Sequence, residues 1–248
     1  MFSRAALAAA SLQLLAQASF ASAAALENST ACVDVHFMIA RGSTAAYPGF
    51  PWDVFSSVAE NMTATTNYED IIYPATNETA TDSYFVGRTN AGAQINAYAQ
   101  ACPDSKIVVG SYSQGALIVG DALAGGGGQE YLGNATDPLV SVANGQKIIA
   151  NIFFGNPRHV PYETYDVGEN PWNATGKYPR LQYQIDNFDS RYSNITQDWC
   201  NYGDGVCSVA FPDSLSLHTA YDSLYLDDAA EWTLHKIGAH AHANATDA

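Results

Sequence analysis

At 248 residues the chain is long enough for one α/β domain with a substantial core and does not require two. Apolar residues make up 47% and charged residues only 14%, which excludes a disordered chain. A formal net charge of −15 repels phosphate backbones and argues against a nucleic-acid partner.

The first segment, "MFSRAALAAASLQLLAQASFASA", places Arg4 ahead of an apolar stretch and ends on Ala21-Ser22-Ala23. That is the pattern of a secretory signal peptide over 1–23, leaving a main domain over 24–238 and a flexible tail over 239–248. Removing it takes one arginine and no acid, so 25 acidic residues face nine basic ones and the charge becomes −16. No later stretch reads as a membrane span, and no membrane partner is expected. N-x-[ST] sequons at Asn28, Asn61, Asn77, Asn134, Asn173, Asn194 and Asn244 agree with export and a glycosylated surface.

"VDVHFMIA" (33–40) reads as a buried strand and "PWDVFSSVAENM" (51–62) as a helix with Pro51 at its start. "YEDIIYPA" (68–75) reads as a strand stopped by Pro74, and 83–102 shows helical spacing through Phe85, Ala93, Ile95 and Tyr98. "KIVVGSY" (106–112) is a strand, and "QGALIVGDALAGG" (114–126) a helix ended by glycines. The apolar run "KIIANIFFG" (147–155) fits a parallel strand covered on both faces, and 180–188 reads as a further strand. A closing helix spans 219–237. Strands alternating with helices predict an α/β fold: a doubly wound, mostly parallel sheet with helices on both faces and sites at the strands' carboxyl ends.

"VVGSYSQGALIVGD" (108–121) joins a strand to a helix through a sharp turn and holds two serines. Ser113 has Gly115 two residues on, as the nucleophile-elbow pattern G-x-S-x-G requires, whereas Ser111 occupies the place of the first glycine. A serine hydroxyl needs a histidine to take its proton and an acid to orient that histidine. In α/β enzymes these follow in the order Ser, Asp, His. Asp204 in "CNYGDGVC" and His218 in "SLSLHTAYDSL" meet that order; Asp198 and Asp213 are alternative acids. His36, inside a strand, reads as structural, and His159 is out of place.

Four cysteines allow three pairings. Cys200 and Cys207 flank a Gly-rich turn, which makes a local bridge natural and leaves Cys32 with Cys102. The long loop contributes roughly 4 kcal/mol and the short one roughly 2.5 in the chain-entropy picture. No His/Cys cluster suggests zinc, and His240 and His242 read as solvated tail residues. Neither metal nor cofactor is expected.

The stretches "ARGST" (40–44), "IIYPA" (71–75), "CPDSKIVVGSYSQGA" (102–116), "ALAGGG" (122–127), "FGNPRHV" (154–160), "GDGVC" (203–207) and "LHTAY" (217–221) resemble the cutinase and acetylxylan esterase family of fungal serine esterases. The resemblance covers roughly Cys32 to Lys236. It implies a lidless α/β-hydrolase fold, Ser113 as nucleophile, His218 as base, Asp204 as orienting acid, and an oxyanion hole from Ser43 and the Gln114 amide. It also implies the two disulfides already paired. Ser111 departs from it, because glycine is usual there.

The substrate implied is an ester-bearing cell-wall polymer, met outside the cell by a monomer. "IIYPA", "ALAGGGG" and "FGNPRHV" are similar to the acetylxylan esterase branch; "RGST", "GDGVC" and "LHTAY" are similar to cutinases. Val206, Val209, Phe211, Leu215 and Leu217 offer an apolar rim for longer acyl chains or, equally, core packing. Deacetylation of xylan is placed slightly ahead of cutin hydrolysis. A secreted glycoprotein that binds without turnover is a reading of another class, resting on Ser111 and the sequons.

Overall fold

The computed structural model describes residues 26–77, 82–169, 173–209 and 214–246, the last stretch with side chains as far as 238. The chain runs β1 (Val35–Ala40), α1 (Pro51–Glu60), β2 (Thr66–Asp70), α2 (Asp82–Ala101), β3 (Lys106–Tyr112) and α3 (Gln114–Ala124). It continues through α4 (Val142–Gly145), β4 (Ile148–Phe154), β5 (Asp166–Val167), α5 (Gln182–Tyr192), β6 (Thr196–Trp199), α6 (Leu215–His218) and α7 (Tyr221–Thr246). The strands form one six-stranded sheet in the order β2-β1-β3-β4-β6-β5. Every pairing is parallel.

Side chains alternate across a strand, and both faces here are covered, so the strands read as continuous apolar runs. Phe37 and Ile39 pack with Val54, Phe55 and Ala229 under α1 and α7. Met38 and Ala40 pack with Ile95, Leu117 and Phe188 under α2, α3 and α5. All of α3 is buried. From β1 the chain turns to β2 on one side, and from β3 it turns to β4 on the other. The loops leaving β1 and β3 therefore diverge, which opens a crevice at their carboxyl ends.

Several expectations need correction. Residues 180–188 are not a strand; from Gln182 on they belong to α5. The apparent alternation hid a helical face of Ile185, Phe188 and Tyr192, and the Gln184 side chain accepts from the Leu181 amide at 2.8 Å to start the helix. The strand expected over 68–75 ends at Asp70. Past one further rung, Ile71 N–H to the Ile39 carbonyl, the Tyr73 carbonyl turns to Arg41 Nη2 at 2.8 Å. β5 and β6 were not expected: they are short, and "DV" and "TQDW" lack an apolar run. The alanine-rich end lets α7 run on to Thr246, through residues read as tail. The signal-peptide segment lies outside the described residues.

Cys32 is bonded to Cys102 and Cys200 to Cys207. The first joins the approach to β1 with the end of α2; the second closes the loop after β6.

A buried ion pair ties α3 to the irregular loops. Arg158, with no exposed surface, meets Asp121 through Nε–Oδ1 and Nη2–Oδ2 contacts of 2.8 Å each. The same guanidinium donates to the carbonyls of Tyr178 at 3.0 Å and Gly127 at 2.8 Å, while Tyr84 donates to Asp121 Oδ2 at 2.6 Å. Breaking such a pair from one side leaves a buried charge uncompensated. Arg158→Met should therefore lower the unfolding free energy by about 3–5 kcal/mol. Urea denaturation checks this, and a loss below about 1 kcal/mol would mean that Arg180, at 3.4 Å from Asp121 Oδ1, satisfies the carboxylate alone.

Candidate active site

Ser113 stands between β3 and α3 with φ 56° and ψ −118°, a left-handed backbone that a non-glycine residue adopts only under constraint. The constraint comes from both sides. Its N–H continues the sheet by donating to the Phe154 carbonyl at 2.8 Å, and its carbonyl accepts the first helical bond from Leu117 at 3.1 Å. Gly115 permits this, since a Cβ there would lie 2.2 Å from the Ala40 carbonyl oxygen. Ser111 is buried, and its hydroxyl donates to the Ile152 carbonyl on β4 at 3.3 Å. The departure at this position is thus accommodated inside the sheet, away from the crevice.

The three residues expected to act together are adjacent. His218 Nε2 lies 2.8 Å from Ser113 Oγ, and its Nδ1 lies 2.8 and 3.0 Å from the two oxygens of Asp204. Asp204 is fully buried. Its Oδ2 accepts from the Tyr221 hydroxyl at 2.6 Å, and its Oδ1 accepts from the Val206 amide at 2.7 Å. Burial by itself would raise its proton affinity. The hydrogen bond and charge of His218, then the Tyr221 hydroxyl and the Val206 amide, outweigh that and hold the carboxyl below its ordinary range.

Ser43, half-buried after β1, and Gln114, first in α3, border the same cleft of about 820 Å³ as Ser113 and His218. The Gln114 amide belongs to the first helical turn, whose N–H groups have no intrahelical partner and carry the positive end of the dipole. Its side chain is held by Ser83 Oγ at 2.8 Å and the Thr76 carbonyl at 3.1 Å. Thr44, beside Ser43, donates its amide to the Ala75 carbonyl at 2.7 Å and so fixes the loop.

The other acids and histidines stay apart. Asp198 takes a hydrogen bond from Asn156 Nδ2 at 2.9 Å, and Asp213 lies outside the described residues. His36 bonds Asn67 and Glu69 at 2.6 and 3.2 Å and stacks on Tyr98, a structural role as expected. Of the expected apolar rim, Val206 and Leu215 face the cleft and Val209 is exposed; Phe211 lies outside the described residues.

The Cutinase family profile matches residues 31–237. The chain belongs to the cutinase family. An acetylxylan esterase of Hypocrea jecorina is 34% identical over 168 residues, 62% of this chain and 55% of that protein. Cutinase 11 of Verticillium dahliae is 27% identical over 91% of this chain and 76% of its own. The chain thus spans about half of one of these relatives and three quarters of the other. Among solved structures, an acetylxylan esterase superposes with a TM-score of 0.74 at 25% identity, covering 84% of this chain and all of that one. The catalytic core of the Trichoderma reesei acetyl xylan esterase gives 0.71 at 26% identity, covering 84% of this chain and 99% of that one.

Within this cutinase-family site, sequence reasoning missed the residues that hold the imidazole. Tyr112 stacks on His218 with ring centres 5.2 Å apart and donates its hydroxyl to the His218 carbonyl at 2.7 Å. Tyr221 stands out in the sequence only as the last residue of "LHTAY". Its position three residues after His218 at a helix start was the available signal.

Because the fold favours the ionised Asp204, its stabilising share is complete above the unfolded carboxylate value near 4 and is lost as pH falls through the lower folded value. Asp204→Asn should flatten the decline of Tm below about pH 4. Calorimetry across that range on both proteins tests this; equal steepness would remove Asp204 from acid unfolding.

Proposed function

We propose that this protein is a secreted carboxylic ester hydrolase working through a Ser113–His218–Asp204 relay. The observation carrying this reading is the unbroken chain of 2.8 Å contacts from Ser113 Oγ through His218 to Asp204 at the edge of an open cleft. Ser113 Oγ attacks the ester carbonyl while His218 Nε2 takes its proton and Asp204 keeps the other ring nitrogen oriented. The Gln114 N–H and the Ser43 hydroxyl donate to the oxyanion as it forms. His218 then protonates the leaving alcohol and activates the water that frees the acyl group from Ser113. None of these steps calls for a cofactor.

The substrate class we favour is an acetylated cell-wall polysaccharide such as xylan. Tyr131, Tyr178 and Lys177 border the cleft, giving ring faces and a hydrogen-bonding group suited to sugars. The relatives named acetylxylan esterase support this choice. Val206 and Leu215 favour the second reading, a cutin polyester with longer acyl chains. Secretion draws support from the six sequon asparagines whose side chains are described, all exposed, and from the disulfides. Among the described residues no helix is long and apolar enough to cross a membrane.

Ser113→Ala should reduce kcat on p-nitrophenyl acetate by several orders of magnitude. An organophosphate should label Ser113 in the parent protein, while Ser111→Gly retains activity. Full turnover by Ser113→Ala would move the nucleophile elsewhere, and no turnover by the parent protein would favour a binding glycoprotein. Acetate release from acetylated xylan compared with monomer release from cutin decides the substrate.

A further inference from the structure

Behind the cleft, three chain segments converge on a cluster that the esterase relay does not use. His159 comes from the loop after β4, Asp166 from β5 and Asp198 from β6. The imidazole and the Asp166 carboxylate have no exposed surface, and the Asp198 side chain is only 2% exposed.

Asp166 and Asp198 are direct partners in the β5–β6 register, so the sheet places two carboxylates opposite one another. Like charges at such positions are destabilising, and burial makes them more so. No arginine or lysine offsets them within ion-pair distance among the described residues, since the buried Arg158 and Arg180 pair with Asp121 instead. His159 Nδ1 lies within ion-pair reach of both acids, 3.6 Å from Asp166 Oδ1 and 3.5 Å from Asp198 Oδ2, yet neither of its ring nitrogens makes a well-aligned hydrogen bond. Oδ1 of each aspartate is also unpartnered.

These separations are long for a hydrogen bond. They match the edge of a coordination tetrahedron, which is about 3.4 Å when metal–ligand distances are about 2.1 Å. One ligand atom from each residue falls within 4.8 Å of the others. Both carboxylates carry an outer contact: Asn156 Nδ2 donates to Asp198 Oδ2 at 2.9 Å, and the Glu163 amide donates to Asp166 Oδ2 at 3.0 Å. Such contacts orient carboxylates toward an ion.

We propose that His159, Asp166 and Asp198 bind one divalent cation of borderline softness, with zinc as the best fit. One imidazole beside two carboxylates suits zinc or manganese, whereas calcium and magnesium prefer all-oxygen sites. Two carboxylate charges balance the ion. The role is structural, because the ion would staple the edge strand β5 and β6 to the loop after β4. That loop begins at Gly155, where a Cβ would lie 2.7 Å from His218 Cε1, so the staple also supports the floor beneath the imidazole. The site stands apart from the esterase reading, and neither depends on the other.

The test uses the full secreted chain carrying His240→Ala and His242→Ala, so that tail imidazoles do not count. After chelation and dialysis against zinc, elemental analysis should find one zinc per chain. Saturation at about a hundredfold over Kd should raise Tm by roughly 5–10 °C. Asp198→Asn and His159→Gln should each lose both effects. Titration calorimetry on the parent chain reads the stoichiometry even if a variant fails to fold. Zinc well below one per chain with no shift in Tm would overturn the proposal, as would undiminished binding by both variants.

Discussion

The closeness of α3 to the end of β1 is the constraint on which the site depends. A helix entering directly from β3 can tuck behind β1 only if its second residue has no side chain, and Gly115 supplies that, in contact with the Ala40 and Arg41 carbonyls. The turn that results is so sharp that Ser113 sits at positive φ. Such strain costs on the order of 1–3 kcal/mol and persists only where the surroundings over-determine it. Here a sheet bond to Phe154 on one side and the first helical bond on the other supply the determination. The hydroxyl projects into the crevice for the same reason that the Gln114 amide does: both occupy the entrance of a helix aimed at the sheet's edge.

The imidazole is placed by a different principle. α6 spans only Leu215–His218, too short to be stable alone, so tertiary contacts must fix its last residue. Tyr112 from β3 grips the His218 carbonyl, Asn201 from beyond β6 donates to the Leu217 carbonyl at 2.8 Å, and Gly155 just after β4 leaves room for the ring. Tyr225 in turn donates to Asn201 Oδ1 at 2.8 Å, bringing α7 into the same support. Histidine and aspartate thus hang from the carboxyl ends of adjacent strands, with the Cys200–Cys207 bridge closing the loop that carries the acid.

Much of this was legible from residue type and spacing. β1, β3 and β4 announce themselves as apolar runs because both faces are covered, and the Ser113–Gly115 spacing marks the elbow because sterics allow little else. What escaped reading escaped for physical reasons. β6 is four residues with a buried aspartate, so its membership of the sheet comes from neighbours rather than from its own letters. α5 alternated like a strand because Tyr183 half-covers a loop while Ile185 and Phe188 are buried. His159, Asp166 and Asp198 carry no recognisable spacing, since strand order rather than sequence brings β5 beside β6. Arg41, Asp121 and Arg158 look like surface charges in a sequence, yet all three are buried.

Those buried charges explain how an open cleft can keep its shape without regular walls. Its sides are loops, over 71–77, 125–137 and 173–180, whose carbonyls have no ladder to join. Each carbonyl turned inward needs a donor, because an unpaired one is costly. Guanidinium groups offer five donors on a rigid plane. Arg41 takes the Tyr73 carbonyl, and Arg158 takes those of Gly127 and Tyr178 while its charge is balanced by Asp121. Gln184 completes the set by donating to the Gly125 carbonyl at 3.1 Å. The rim is therefore held by polar anchors set behind it. It needs no apolar packing on the side facing solvent, and the cleft beside Ser113 stays open without exposing any part of the core.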